Sequence, residues 1–182
     1  MKFIQKNTNT VSPRQVAENQ YKVSRYNLLI AIAFTLINII MALSASQTYF
    51  LFSAAIPYQL VVSGMYNCGK LPAEFYEGNI NNYVFLDNSF FVACLVIATL
   101  ALVALALCWF LSRKQKAGGL IAALVLFGID TAGMFYLYGF TTDILIDILF
   151  HAWVIYYLIV GIRACKKLKA LPEEEPTTAL PS

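Results

Sequence analysis

Three ionisable residues near the C-terminal end of the chain fall on one predicted helical stripe. Asp143, Asp147 and His151 are spaced four residues apart, so on an α-helix they lie along the same face. Carboxylate and imidazole groups within reach of each other can pass a proton or contribute ligands to a cation. The residues around them are strongly apolar, and ionisable groups are costly in such surroundings, so these side chains are the first candidates for chemistry.

Another aspartate, Asp130, is predicted to lie at the depth of His151. The two residues stand ten or eleven positions on either side of a turn expected near residues 140 and 141. In an antiparallel helical hairpin such positions face each other at one level. Because a buried carboxylate needs a donor, we expect Asp130 to bind His151 through a charge-assisted hydrogen bond. Asn38, on an earlier apolar segment, is predicted at the same level, with Asp147 one helical turn away.

This Asp/His/Asn cluster is open to three interpretations. Its members can form interhelical hydrogen bonds that fix the register of the helices. They can form a proton or cation relay of a transporter or channel. They can also form a metal or hydrolytic site with Asp130, Asp147 and His151 as ligands or acid/base groups, although His151 is the only histidine in the chain. No phosphate-binding loop or nucleophile elbow is present, and no metal and no cofactor are predicted.

The composition predicts that these residues sit in a membrane. The chain has 182 residues, of which 59% are hydrophobic and only 13% are charged, whereas a soluble domain carries about a quarter charged residues. Four apolar segments are each about long enough to cross a bilayer. They predict an all-α polytopic membrane protein, a four-transmembrane-helix bundle, with spans at about 27–46, 89–111, 118–138 and 144–166.

Basic residues select one orientation of these spans. With four crossings they gather on one side of the membrane, and the other side is mainly acidic. The basic side carries Lys22, Arg25, Arg113, Lys114, Lys116, Arg163, Lys166, Lys167 and Lys169, and the other side carries Lys70, Glu74, Glu77, Asp87 and Asp143. This pattern predicts a multi-pass plasma-membrane protein with both termini in the cytoplasm. The basic residues flank the spans, so we expect the lipid bilayer as partner and no nucleic acid.

The remaining segments flank this membrane domain, which covers residues 27–166. Residues 1–26 are predicted as a cytoplasmic segment with an interfacial helix, in which Ser12 is the N-cap and Pro13 the first helical residue. Residues 47–88 form an outer loop. Residues 167–182, with three prolines and a run of glutamates, are expected to be a disordered cytoplasmic tail.

The apolar stretch at about 48–66 is too short to cross a bilayer easily, and Pro57 interrupts it. The favoured interpretation is a pair of short helices on the outer membrane face. The alternative is a re-entrant hairpin with its tip near Pro57, which would turn Gln59 and Ser63 inward.

The leading functional hypothesis is a non-enzymatic small transporter, channel or accessory subunit. One alternative is a membrane-embedded enzyme that acts on a lipid or small molecule at the outer face, and another is a structural subunit without chemistry. Four spans are few for a lone transporter. We therefore expect association with a second copy or with another membrane subunit.

Overall fold

The computed structural model of the protein describes residues 12–46, 48–77 and 80–172, and for Asp143 the backbone only. Residues 1–11 and most of the predicted tail lie outside these ranges. Within them the chain is all-helical. The helices are α1 (Pro13–Leu43), α2 (Ala55–Asn67), α3 (Asn88–Leu111), α4 (Ala117–Tyr138) and α5 (Leu145–Ala170), with short 3-10 turns at Ala73–Phe75, Ile80–Asn82 and Thr142–Ile144.

Four of these helices, α1, α3, α4 and α5, are long and apolar enough to cross a membrane. The bounds of α3, α4 and α5 differ from the predicted spans by four residues at most. The predicted cap of α1 is confirmed, because the Ser12 hydroxyl accepts the Gln15 N–H at 3.1 Å ahead of Pro13. α1 continues without a break through residue 26. α1 is therefore one continuous helix that includes both the predicted interfacial helix and the first apolar segment. A stripe of buried residues runs along its whole length.

The four long helices pack as a ring, in which α1 contacts α5, α5 contacts α4, α4 contacts α3 and α3 contacts α1. The start of α1 meets the residues that follow α5 at one end of this ring. Arg14 Nη1 donates to the carbonyl of Pro172 at 3.0 Å, and the Tyr21 hydroxyl donates to the carbonyl of Ser112. We call this the basic end. The opposite end, formed by residues 44–46, 67–77, 80–88 and 139–144, is called the loop end.

Apolar side chains fill the ring and also cover its outside. The core between the helices includes Leu28, Leu120, Ala123, Phe127 and Leu158, each at most 1% exposed. Gly161 permits a close approach of α5 to α1, since a Cβ there would overlap the Ser24 side chain. Large apolar residues also point away from the ring, among them Leu100, Val125, Ile129 and Leu149.

Residues 44–46 and 48–67, together called the inserted segment, enter the ring from the loop end and return to it. The chain leaves α1 at Leu43, runs back among the helices, and turns at residues 52–54 into α2, which contacts α1, α3 and α4. At the far end of α2, the Asn67 carbonyl accepts the Leu86 N–H at 2.8 Å. Asp87 then caps α3, and its hydrogen bond from the Ser89 N–H holds the pKa of Asp87 below its usual value.

This path differs from the favoured prediction of two helices lying on the outside. The first turn of α2 is buried, with Ala55 at 6% exposure and Val61, two turns later, at 0%. The path matches the hairpin interpretation more closely, but the tip is not at Pro57. Pro57 is the third residue of α2, a position where its missing N–H breaks no hydrogen bond of the helix.

Candidate functional site

Asp130 of α4 and His151 of α5 are in direct contact, as the sequence predicts. His151 Nε2 lies 2.9 Å from Asp130 Oδ2. His151 is 2% exposed and Asp130 is 6% exposed. A carboxylate and an imidazole are thus joined inside the ring, where water does not compete for their hydrogen bonds.

The contact of the second ring nitrogen, His151 Nδ1, limits how protons are arranged on the Asp130–His151 pair. His151 Nδ1 lies 2.8 Å from the backbone carbonyl oxygen of Asp147, which can only accept. Two proton arrangements satisfy both contacts. Either the imidazole is doubly protonated beside an ionised Asp130, or a protonated Asp130 donates to Nε2 while Nδ1–H donates to the carbonyl. Each arrangement has no net charge, and the two differ by the transfer of one proton over the Oδ2–Nε2 contact.

The same carboxylate also binds the start of α2. The Ala55 N–H donates to Asp130 Oδ2 at 2.9 Å, and the Ile56 N–H donates to Oδ1 at 2.8 Å. The N-terminus of a helix carries a partial positive charge, which favours an ionised partner. Asp130 therefore holds α5 through His151 and α2 through two backbone amides at once.

Every N–H position at the buried start of α2 is accounted for. A helix begins with four N–H groups that its own turns cannot satisfy. The N-cap, Ala54, has no side chain able to help, but its own N–H donates to Thr35 Oγ1 of α1 at 2.8 Å. Asp130 accepts the next two, and Pro57 has no N–H. Other helices thus provide the cap that the local sequence of α2 lacks.

Asn38 holds the inserted segment at a separate point. Its amide donates to the Phe50 carbonyl at 2.7 Å and to Ser53 Oγ at 2.8 Å, and its Oδ1 accepts the Phe50 N–H at 2.8 Å. Asn38 is fully buried. The prediction that Asn38 shares one cluster with Asp130 and His151 is therefore corrected. There are two sets of hydrogen bonds, connected by residues 53–56 of the inserted segment.

Asp147 lies beside this pair in a cavity of about 170 Å³. We call it the tyrosine cavity, and its lining residues are Tyr49, Ala55, Tyr58, Met134, Tyr138, Ile144 and Asp147. Gln59 and Ser63 are not part of this lining. Gln59 accepts a hydrogen bond from the Tyr138 hydroxyl and donates to Ser63 Oγ at 3.2 Å, so the two residues fasten α2 to α4. The side chain of Asp143 lies outside the described part of the structure.

Apolar side chains surround the rest of the site. The Phe127 ring centroid lies 5.8 Å from that of His151, and Phe127 continues into the fully buried core towards the basic end. The site therefore borders the tyrosine cavity on one side and, on another, an apolar cavity of about 140 Å³ whose lining includes Ala54, Phe127 and Asp130. Any passage of an ion through the ring would require these helices to move.

The arrangement does not assemble a metal site from the predicted ligands. Among the described residues, no group of three or more His, Cys, Asp or Glu side chains is placed to hold a metal ion. Both nitrogens of His151 already have partners within the chain. Binding a metal through His151 would break one of these contacts.

Several residues of the site are absent from the sequence-based prediction. Thr35 lies three residues before Asn38, on the same face of α1, so their spacing was an available signal. Tyr49, Tyr58 and Tyr138 lie on three elements, and no local pattern connects them. The backbone amides of Ala54, Ala55 and Ile56 cannot be recognised as parts of the site from the sequence, because their side chains are apolar.

Comparison of the chain with protein-family models, curated proteins and solved structures found no match.

Proposed function

We propose that this chain is a multi-pass plasma-membrane protein in which α1, α3, α4 and α5 cross the bilayer. The outward apolar side chains of these helices support this placement. The positive-inside rule then puts the basic end, with both termini, in the cytoplasm. The inserted segment becomes a re-entrant half-helix. Backbone of this kind is tolerated at membrane depth when protein satisfies its polar groups, as Thr35 and Asp130 do for α2.

Within this frame, we propose that the protein is a small transporter, channel or accessory subunit whose re-entrant helix responds to protonation. The observation that carries this proposal is the set of three hydrogen bonds made by the Asp130 carboxylate, to His151 and to the first two N–H groups of α2. Adding or removing one proton leaves a buried charge without its counter-charge. Adding the proton weakens the attachment of α2, because a protonated Asp130 accepts the two backbone amides less strongly than an ionised carboxylate does.

A partner subunit is part of the proposal. The tyrosine cavity and the apolar cavity both adjoin the site, and the lining of neither includes a residue of the basic end. Four crossing helices leave little room for a second access path. Association with a second copy of the chain or with another membrane subunit would supply it.

The test is a pH-dependent flux assay in liposomes that contain the purified protein. It compares the wild type with Asp130→Asn and His151→Gln. Thr131→Val is the matched control, since this neighbour of Asp130 bonds only to the Phe127 carbonyl of its own helix. We expect ion or proton flux that depends on pH in the wild type and Thr131→Val, and flux without that dependence in the other two variants. Equal pH profiles in all four proteins would refute the proposal.

A structural subunit without transport is the second candidate. It is favoured by the completeness of the hydrogen bonding, because each ring nitrogen of His151 and each oxygen of Asp130 has a partner. Under this alternative, Asp130→Asn and His151→Gln reduce stability alike and no preparation shows flux. A membrane-embedded enzyme has less support, since His151 is sealed from any substrate in the tyrosine cavity.

A further inference from the structure

We propose that the tyrosine cavity binds a small organic ammonium cation, with Asp147 as the counter-ion. The proposal names a ligand class for the site described above, and it rests on the proposed function only for the link between binding and transport. The binding itself follows from the walls of the cavity, their charge and their size.

The walls combine aromatic rings with one carboxylate. Tyr49 and Tyr58 come from the inserted segment, before and within α2, Tyr138 comes from α4 and Asp147 from α5, so three parts of the fold converge on this space. The rings of Tyr49 and Tyr58 lie 4.8 Å apart at an angle of 50°. Aromatic rings attract ammonium groups, and aromatic-lined sites recognise methylated amines.

The charge of the site favours a cation. Among the described residues, the ion pairs are Arg14–Glu18 and His151–Asp130, and neither includes Asp147. The Asp130–His151 pair is neutral as a whole, so it leaves the Asp147 charge uncompensated. Lys70, a basic residue of the loop end, is placed over the Phe91 ring at 5.0 Å instead. A half-buried carboxylate without a cation is unfavourable, and a bound cation removes that penalty.

The polar groups favour an organic cation over a metal ion. A metal such as Ca²⁺ needs six or more oxygen ligands. The tyrosine cavity offers one carboxylate, and two of its hydroxyls already have protein partners: Tyr49 accepts from Ser53 Oγ at 3.1 Å, and Tyr138 donates to Gln59. The remaining lining is Ala55, Met134 and Ile144, which suits methyl groups.

The size of the cavity limits the ligand to a few heavy atoms. At about 170 Å³ it is smaller than the roughly 300–1,000 Å³ pockets that hold drug-sized molecules. A methylated amine or a choline-sized cation fits this range. Its binding would adjoin the Asp130–His151 pair, because Ala55 lines the cavity and also donates its N–H to Asp130.

The experiment measures binding to the full-length protein by isothermal titration calorimetry in a maltoside detergent. Detergents and lipids with choline headgroups are excluded, since they carry the ligand chemistry. The probes are methylammonium, tetramethylammonium and choline, and the neutral isostere of choline, 3,3-dimethylbutan-1-ol, is the control. The variants are Asp147→Asn, Tyr58→Leu and Tyr58→Phe, of which the last keeps the ring and removes the hydroxyl.

We expect choline to bind at least about tenfold more tightly than its neutral isostere, and Asp147→Asn to weaken choline binding by a similar factor. Tyr58→Leu should weaken it roughly 2- to 30-fold, and Tyr58→Phe should stay within about twofold. The proposal is overturned if no ammonium probe binds saturably, if the neutral isostere binds equally well, or if Asp147→Asn has no effect. The calorimetric experiment uses no pH gradient, so its outcome is independent of the flux assay. A negative binding result does not refute the proposed transport, and a negative flux result does not refute cation binding.

Discussion

At the scale of residues, Asp130 is the shared hydrogen-bond partner of α2 and α5. Its Oδ2 contacts His151 Nε2 and accepts the Ala55 N–H, while its Oδ1 accepts the Ile56 N–H. The carboxylate is 6% exposed, so each of these bonds is worth more than it would be at a surface. Substitution of either Asp130 or His151 leaves the other side chain buried without its ionisable partner.

This arrangement predicts strong coupling between the two side chains. His151→Gln leaves Asp130 as an unpaired buried charge, and breaking such a pair lowers the free energy of unfolding by about 3–5 kcal/mol. Asp130→Asn leaves one amide of α2 without an acceptor and is also destabilising. We expect the double variant to be less destabilised than the sum of the two single changes, by about 1–3 kcal/mol.

The measurement is a double-mutant cycle of unfolding in mixed micelles with increasing dodecyl sulfate, followed by far-ultraviolet circular dichroism. Thr131→Val serves again as the neighbouring control. Strict additivity of Asp130→Asn and His151→Gln would show that the two side chains do not interact.

Prediction from the sequence works well for this pair and poorly for its surroundings. The common depth of Asp130 and His151 follows from their distances to one turn, because the helical rise converts residue counts into depth. The role of Asn38 could not be obtained in this way. Depth places Asn38 near the pair, but the direction of its side chain depends on a segment, residues 50–53, that has no regular pattern.

At the scale of elements, α2 is a helix that starts in the interior without a cap of its own. Its N-cap is an alanine, and the acceptors come from α1 and α4. Start signals in a sequence are local, so an apolar run that opens with Ala54 and Ala55 looks like a surface helix. The long helices were predictable because length and hydropathy decide them. The position of α2 was not, because distant residues decide it.

Thr35 provides a test of this cap that leaves the titratable pair intact. Thr35→Val keeps the shape of the side chain and removes the acceptor of the Ala54 N–H, which is then buried without a partner. We expect a loss of about 1–3 kcal/mol in the free energy of unfolding. Thr35→Ser should retain most of the stability.

Thr99→Val is the matched control for the removal of a hydroxyl, because Thr99 is exposed and bonds only to the Leu95 carbonyl of its own helix. The three variants are compared by the same unfolding titration. If Thr35→Val and Thr99→Val lower the free energy of unfolding equally, Thr35 does not cap α2.

At the scale of the whole molecule, the ring of four helices has a chemically distinct end on each side. The basic end carries the loop that contains Lys114, and the loop end carries Phe140, which is 86% exposed. The outward apolar surface between these ends fits a bilayer. Under the proposed topology, the two ends face opposite aqueous compartments.

Cysteine labelling checks that topology. Phe140→Cys, in a background with Cys68→Ser, should react with a membrane-impermeant maleimide on intact cells. Lys114→Cys should react only after the cells are permeabilised, since the basic end is expected in the cytoplasm. Cys94, Cys108 and Cys165 are buried and should stay unlabelled. Labelling of both introduced cysteines from outside would contradict the four-crossing arrangement.

The backbone amides of Ala55 and Ile56 report most directly on the hold of the Asp130–His151 pair on α2. NMR of ¹⁵N-labelled protein follows these amides. If Asp130 caps α2 and shares a proton with His151, both amides exchange slowly with solvent. Their shifts then change with pH together with the His151 ring signals, and Asp130→Asn abolishes this joint change. Amides that exchange as quickly as those of an open loop, or that ignore the titration of His151, would show that the pair does not control the re-entrant helix.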